Sequence, residues 1–95
     1  MHPNPLKRRL LHRQPCRGLW LSLPCVPAVR LLARLPWDWL LVDAEHGPMG
    51  AETMTQMVAA IADAGRAPMV RVAHGNVENI KRALDAGAWG IIAPM

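Results

Sequence analysis

The sequence predicts an α/β fold built around a parallel sheet. Four short apolar runs have the length of strands, and segments with helical spacing of apolar residues lie between them. The run WLLV at residues 39–42 is apolar on both faces, as in strands that are covered on both sides. Because parallel neighbours need a crossover connection, usually a helix, strands and helices should alternate along the chain.

The strands are predicted at residues 18–23, 39–43, 68–72 and 90–94, and a weak helix bounded by prolines at residues 27–35. A stronger helix is predicted within residues 50–65, where apolar residues recur at i, i+3, i+4 and i+7. Glu52 suits its first turn, and Gly65 can close it in the left-handed conformation. The apolar face of this helix consists of Met54, Met57, Val58 and Ile61.

A further helix is predicted within residues 76–87. Asn76 is a good N-cap and Gly87 ends the helix, while Val77, Ile80 and Leu84 form its apolar stripe. The alternation fits both a doubly wound sheet and a (β/α) barrel. No G-x-G-x-x-G or G-x-x-x-x-G-K-[ST] loop follows a strand, so the nucleotide-binding versions of these folds lose support.

Positive charge is concentrated in the first third of the chain. Residues 1–37 carry a net charge of +7, and residues 38–95 carry −3. We therefore separate a basic leader at residues 1–17 from a domain at residues 18–95. The leader could be a nucleic-acid-binding arm, a targeting segment, or a solvated and partly helical N-terminus. It lacks interleaved aromatic residues, so we prefer the solvated N-terminus and expect no nucleic-acid partner.

Length and composition set further limits. A chain of 95 residues can form one small domain, although a large closed active site is difficult to build from so few residues. No apolar stretch approaches the roughly 18 residues of a membrane span, so we expect no membrane partner. Cys16 and Cys25 form neither a disulfide framework nor a zinc site, and we expect both to be reduced in a cytoplasmic protein.

Polar side chains collect where the predicted strands end. Asp43 closes the second strand, Glu45 and His46 follow it, Arg71 lies near the end of the third, and Trp20 lies on the first. In parallel α/β architectures the carboxyl ends of the strands meet at one edge, where function collects. These side chains should therefore share one rim, which suits catalysis but is also compatible with a capped turn.

Three stretches carry a more specific signal: GLWLSLP at 18–24, DWLLVDAEHGP at 38–48 and VRVAHGNVENIKRALDAGAWGIIAPM at 70–95. They resemble the N-terminal part of the HpcH/HpaI aldolase family, the metal-dependent class II pyruvate aldolases, and the resemblance runs through residues 6–95. It implies the N-terminal half of a TIM-type (β/α)8 barrel, with about four parallel strands and three connecting helices. It also implies cleavage of a 4-hydroxy-2-oxo acid to pyruvate and an aldehyde through a metal-bound enolate.

The resemblance also implies roles for individual residues. His46 resembles the general base that removes the proton from the 4-hydroxyl of the substrate, and Arg71 resembles the cation that stabilises the developing oxyanion. Asp85 matches a carboxylate that strengthens this histidine as a base, and Asp43 is a second candidate partner. Trp20 resembles a residue that lines the substrate pocket.

The family's metal ion, Mg, Mn or Co, is held by two carboxylates from strands beyond the fourth, whereas this sequence stops at Met95. Asp43, Glu45, His46 and His74 have ligand chemistry for Mn or Zn. The histidine of this motif is a base in the family, so we expect no metal bound by this chain and at most an outer-shell contact from Glu45. We predict that His74 is solvated. The sequence LPWDW at residues 35–39 also departs from the family's usual AGFDW.

The resemblance favours a fragment of a carbon–carbon lyase that acts on a small-molecule 2-oxo acid. We expect the chain by itself to be inactive and prone to self-association, and the full-length family to be homo-oligomeric. One alternative is an acyl-CoA lyase of the citrate lyase or malyl-CoA lyase type. Another is a non-enzymatic α/β fragment whose basic arm binds an acidic partner.

Overall fold

Four parallel strands form a single sheet in the computed structural model, which describes residues 3–46 and 49–95. The strands are β1 (Gly18–Leu21), β2 (Trp39–Asp43), β3 (Ala67–Arg71) and β4 (Gly90–Ile92). The helices are α1 (Pro5–Leu11), α2 (Val26–Leu32), α3 (Ala51–Asp63) and α4 (Val77–Asp85). Within the described ranges, every helix is too short or too polar to cross a membrane.

The strand order is β1-β2-β3-β4, and each strand pairs in parallel with the strand that follows it in the chain. A doubly wound sheet reverses its strand order near the middle, whereas this sheet winds in one direction as a (β/α) barrel does. The predicted parallel α/β fold with three connecting helices is confirmed. Helix α1 precedes the first strand and lies in the segment that was expected to be partly helical; the expectation that this segment is solvated is wrong at Leu6, which is buried.

One face of the sheet packs against the helices and forms the hydrophobic core. Leu40, Val42 and Val70 are fully buried there against Val29 of α2 and Ile61 of α3. Because side chains alternate along a strand, the residues between them point to the opposite, inner face. The polar rim described below therefore belongs to the inner face.

Helix α3 has the apolar face that its periodicity predicts. Met54, Met57, Val58 and Ile61 are all buried, and each is at most 5% exposed. Gly65 follows the helix with a φ of 80°, which a residue with a side chain rarely adopts. The predicted termination is therefore confirmed.

The predicted apolar stripe of α4 is wrong at two of its three residues. Val77 is 83% exposed and Leu84 is 50% exposed, whereas Ala83 is buried and Ile80 packs against the core cluster. The prediction considered only large apolar residues and therefore omitted Ala83. The small side chain of Ala83 is compatible with a close approach of the helix to the sheet. The predicted cap is confirmed, because the Asn76 side chain accepts a hydrogen bond of 2.9 Å from the backbone N–H of Asn79.

The outer strands are shorter than predicted. Strand β1 ends where Leu21 pairs with Val42, and β4 ends where Ile92 pairs with Arg71. An outer strand has a single neighbour, so its length is set by the register of that pairing rather than by its own apolar run. Helix α2 also ends early, at Leu32.

Glycines on the outer strands make room for large residues on the central strands. A Cβ at Gly18 would lie 1.8 Å from Cε2 of Trp39, and a Cβ at Gly90 would lie 2.6 Å from Sδ of Met69. Both separations are impossible for real atoms without movement of the neighbouring side chain. These glycines therefore allow the inner face to be packed with side chains from β2 and β3.

Helix α1 lies at the end of the sheet where the strands begin. Leu6 is buried, and the Asn4 side chain donates to the carbonyl oxygen of Trp89 at 3.1 Å. Asp38 accepts hydrogen bonds from the Arg9 guanidinium and, at 2.7 Å, from the backbone N–H of Arg17. The N–H of Arg17, together with Arg9 and against the effect of burial, holds the pKa of Asp38 below its ordinary value.

These contacts attach the basic segment to the rest of the chain. The expected helical character is present, and Leu6 and Leu10 line an apolar hollow together with Trp39 and Met69 of the inner face. The domain boundary at residue 17 stays a prediction, although residues before it contribute to the folded unit.

We predict that Leu6→Ala lowers the free energy of unfolding by about 2 kcal/mol, because it removes a buried side chain that joins α1 to the sheet. Leu11→Ala is the matched control, since Leu11 is 73% exposed in the same helix. Urea unfolding followed by circular dichroism measures both variants. Equal effects of the two substitutions would show that α1 does not pack on the sheet in solution.

Candidate active site

Asp43 is the centre of the polar rim. It is the last residue of β2 and is only 1% exposed. Its Oδ2 accepts from Nε1 of Trp20 at 3.0 Å and from Nη2 of Arg71 at 2.5 Å. Its Oδ1 accepts from Nε of Arg71 at 3.2 Å and from the backbone N–H groups of Glu45 at 2.9 Å and His46 at 3.1 Å. Five donors thus satisfy one buried carboxylate.

The turn after β2 follows from this carboxylate. An aspartate side chain that accepts from the N–H groups two and three residues later closes the chain into a tight turn. Asp43 does this with Glu45 and His46, which places both side chains at the rim instead of letting the chain continue along the sheet. The spacing D-x-E-H therefore builds the site locally.

The charge of Asp43 is stabilised by its surroundings. Burial by itself would raise the pKa of this carboxyl, but the hydrogen bonds from Arg71, from the Trp20 indole and from the turn amides outweigh burial. The pKa of Asp43 consequently lies well below its ordinary value. The hydrogen bond to Asp43 in turn raises the pKa of Arg71, against desolvation and with further help from the charges of Asp43 and Glu45.

Arg71 lies opposite Asp43 in the register of β2 and β3. Its guanidinium forms a two-point contact with Asp43 through Nε and Nη2, and its Nε is also 3.2 Å from Oε1 of Glu45. Its Cζ lies 4.8 Å from the ring centroid of Trp20, within the range of a cation–π contact. Arg71 is thus held on three sides.

His46 faces this guanidinium. Its Nδ1 is 2.7 Å from Nη2 of Arg71, and its Nε2 is 3.5 Å from Oε1 of Glu45. Because a guanidinium can only donate, the contact assigns an unprotonated Nδ1 and a proton on Nε2. The side chain is 69% exposed, so its ring is accessible to a small molecule.

The structure brings together five of the predicted residues: Trp20, Asp43, Glu45, His46 and Arg71. It does not bring Asp85 to them within one chain. Asp85 is the last residue of α4 and is exposed. The helix starts at the rim and runs back toward the beginning of the strands. Its nine residues span about 13 Å, so Asp85 lies at the end of the helix that is farther from the rim. Its role as partner of His46 stays a prediction.

His74 follows β3 and is exposed, as predicted. It borders an open hollow whose other lining residues include Glu45, His46 and Pro94. Gly47 and Pro48 of the motif lie outside the described residues. The hollow therefore sits beside the His46 ring at the carboxyl ends of the strands.

Two contacts were missed by sequence reasoning. It placed Trp20 as a pocket wall, whereas its indole also donates to Asp43, and it treated Glu45 as outer shell, whereas Glu45 contacts Arg71 directly. Strand parity was the available signal. Trp20, Asp43 and Arg71 all occupy the inner-facing positions of their strands.

The rim does not fit a metal ion. Across residues 3–46 and 49–95, no three ligand-type side chains converge as a cation site. Both oxygens of Asp43 already accept hydrogen bonds, and Oε1 of Glu45 lies against a guanidinium. These residues suit proton transfer and anion stabilisation.

Comparison with known sequences identifies the family. The family described as HpcH/HpaI aldolase/citrate lyase matches residues 17–95. The hydroxypyruvate/pyruvate aldolase of Paraburkholderia phytofirmans is 44% identical over 93 residues, which cover 96% of this chain and 36% of that protein. The 4-hydroxy-2-oxo-heptane-1,7-dioate aldolase of Shigella boydii is 37% identical over 92 residues, which cover 97% of this chain and 35% of that protein.

Solved structures agree with this assignment. An HpcH/HpaI aldolase/citrate lyase family protein from Burkholderia cenocepacia superimposes with a TM-score of 0.90 at 41% identity, covering 98% of this chain and 37% of its own. The citrate synthase SbnG superimposes with a TM-score of 0.86 at 32% identity, and the match covers 95% of this chain and 37% of that protein.

The sheet order and these matches define part of a TIM-type barrel. The chain belongs to the HpcH/HpaI aldolase/citrate lyase family. It spans about a third of the length of the curated relatives it matches.

We predict that Asp43 makes stability depend on pH. Because its pKa is lower in the folded chain than the roughly 3.9 of an unfolded aspartate, its contribution is present above about pH 4 and is lost as the pH falls below that value. Asp43→Asn should therefore lower the urea midpoint at pH 7. It should also reduce the fall of the midpoint between about pH 5 and about pH 3, the interval that brackets the unfolded pKa.

Asp63→Asn is the matched control, because Asp63 is an exposed aspartate at the end of α3. An Asp43→Asn chain with the same midpoint and the same acid sensitivity as the parent would contradict the predicted role of this carboxylate.

Proposed function

We propose that this chain supplies the acid–base part of the active site of an aldolase that cleaves a 4-hydroxy-2-oxo acid to pyruvate and an aldehyde. The observation that carries the proposal is the 2.7 Å separation of His46 Nδ1 and Arg71 Nη2 at the rim. The unprotonated nitrogen of His46 can receive a proton, and the permanent cation of Arg71 beside it can stabilise an oxyanion. The names of the related aldolases support this chemistry.

In the proposed reaction, His46 takes the proton of the substrate's 4-hydroxyl. The oxygen electrons form the carbonyl of the aldehyde, and the bond between C3 and C4 breaks. Its electron pair passes to the 2-oxo group as an enolate, which gives pyruvate after protonation at C3. The contact between His46 and Arg71 must open for this, because the substrate oxygen takes the place of the guanidinium beside Nδ1.

Arg71 stabilises the negative charge that develops on the substrate oxygen. Asp43 fixes two of its nitrogens, so the guanidinium enters the reaction already oriented. Such preorganised donors act without reorganising when charge develops. Asp85 is retained in the proposal as a carboxylate partner of His46.

A divalent metal ion, Mg, Mn or Co, would be held by residues other than those described, so no step above passes through it. We propose a cytoplasmic setting, in which Cys16 and Cys25 would stay reduced. We further propose a homo-oligomeric protein with a small 2-oxo acid as its substrate.

The citrate synthase SbnG gives a second candidate, a carbon–carbon bond-forming activity of the citrate type. Assays with 4-hydroxy-2-oxo acids and with acyl-CoA or citrate substrates distinguish the two candidates. The contact of Arg9 with Asp38 gives less support to a free basic arm, because this guanidinium is engaged in the fold.

The direct test is a graft in which this chain replaces the matching 93-residue segment of the Paraburkholderia aldolase, hereafter the grafted aldolase. We predict that it releases pyruvate and that His46→Ala lowers kcat by about 10² to 10⁴-fold, the usual contribution of a general base. Bound metal should be unchanged. His12→Ala, at an exposed histidine that ends α1 at the opposite end of the sheet, should leave kcat close to that of the parent.

An inactive but folded grafted aldolase would contradict the proposal. So would a His46→Ala variant that loses its metal or that falls by less than about tenfold in kcat.

We predict that Arg71→Lys in the grafted aldolase lowers kcat by about 10²-fold although the charge is kept. Lysine offers a point charge and cannot contact both oxygens of Asp43 as the planar guanidinium does. Arg82→Lys, on the exposed side of α4, is the control. A normal kcat for Arg71→Lys would assign Arg71 to the packing of the rim.

A further inference from the structure

Trp20 occupies an unusual place in the rim. It lies on β1, the outer strand, but its indole reaches across to side chains of both β2 and β3. Its Nε1 donates to Oδ2 of Asp43 at 3.0 Å, and its ring lies 4.8 Å from Cζ of Arg71. One side chain therefore contacts both members of the ion pair between Asp43 and Arg71.

The two contacts restrain different movements. Oδ2 of Asp43 accepts from Trp20 and from Nη2 of Arg71, so the indole N–H opposes rotation of the carboxylate away from the guanidinium. The indole ring lies against the guanidinium, with Cζ of Arg71 4.8 Å from the ring centroid, while Oε1 of Glu45 lies 3.2 Å from Nε of Arg71 and attracts it. Without the indole, the guanidinium can move toward Glu45.

We propose that Trp20 is a positioning residue, which sets the orientation of the Arg71 guanidinium through its ring face and through the carboxylate of Asp43. This inference rests on the function proposed above. A residue that only lined the pocket would act by contacting the substrate, whereas a positioning residue at position 20 acts on the reaction through Arg71. The indole is 42% exposed, so its remaining surface is still available to a substrate.

Two substitutions separate the contacts. Trp20→Phe keeps an aromatic face under Arg71 but removes the donor to Asp43, whereas Trp20→Leu removes both. Trp89→Phe is the matched control, since Trp89 is 39% exposed and lies at the opposite end of the sheet. Its contact with Asn4 uses the backbone carbonyl and survives the substitution.

The first test uses the 95-residue chain and does not depend on catalysis. Urea midpoints are measured for Trp20→Phe, for Asp43→Ala and for the double variant. We expect Trp20→Phe to lower the midpoint of the parent and to have a clearly smaller effect in the D43A background, because the side-chain oxygens that could accept the N–H are then gone. Strictly additive shifts would overturn the contact between Trp20 and Asp43.

The second test measures kcat and KM in the grafted aldolase, with substrates that release a small and a large aldehyde. We expect Trp20→Phe to lower kcat by about tenfold and Trp20→Leu by about a hundredfold, the scale of a small misplacement of a reacting group. The loss should be similar for both aldehydes. Changes confined to KM that follow aldehyde size would show a pocket wall and overturn the proposal.

The outcomes separate the two hypotheses. If the grafted aldolase with Trp20 intact is inactive, the proposed function fails whatever the Trp20 variants do. If it is active, and Trp20→Phe and Trp20→Leu both retain the parental kcat, the function stands and the positioning role of Trp20 is overturned.

Discussion

The ion pair between Asp43 and Arg71 is the constraint on which the site depends. A carboxylate that is almost wholly buried at the end of a central strand needs donors on every side, because an unpaired buried charge is costly. Those donors come from β1, from β3 and from the turn after β2. Meeting this requirement also places a histidine next to a guanidinium, so stability and chemistry share the same contacts.

Strand β2 is bounded by two aspartates with parallel arrangements. Asp38, just before the strand, accepts from an arginine side chain and from a backbone N–H, and Asp43 at its end accepts from the same two kinds of donor. The first attaches α1 and the chain before β1 to one end of the sheet. The second assembles the candidate active site at the other end. The central strand therefore organises both ends of the domain.

Much of the fold was predictable from local patterns. The alternation of elements, the face of α3 and the cap at Asn76 depend on residues close together in the chain, and the structure contains all three. The ends of β1 and β4 depend on the register with a partner strand, which local periodicity does not report. The buried face of α4 was misassigned in part, because Ala83 packs beside Ile80 while Val77 and Leu84 are exposed.

The candidate site also has parts that follow from local sequence and parts that do not. The turn that presents Glu45 and His46 is encoded within four residues, and the shared rim follows from the rule for parallel strands. The donation from Trp20 to Asp43 joins residues 23 positions apart, and its geometry depends on side-chain conformations. Sequence reasoning identified these two residues separately but could not join them.

The glycines opposite Trp39 and Met69 have an evolutionary consequence. Each large side chain on a central strand occupies the volume that a Cβ on the neighbouring strand would need. A larger residue at Gly18 would require a smaller one at position 39, because the atoms in the way belong to the rigid Trp39 ring, whereas at Gly90 the flexible end of Met69 can shift instead. Homologous lineages should therefore change the sizes of residues 18 and 39 together, while position 90 varies more independently of position 69.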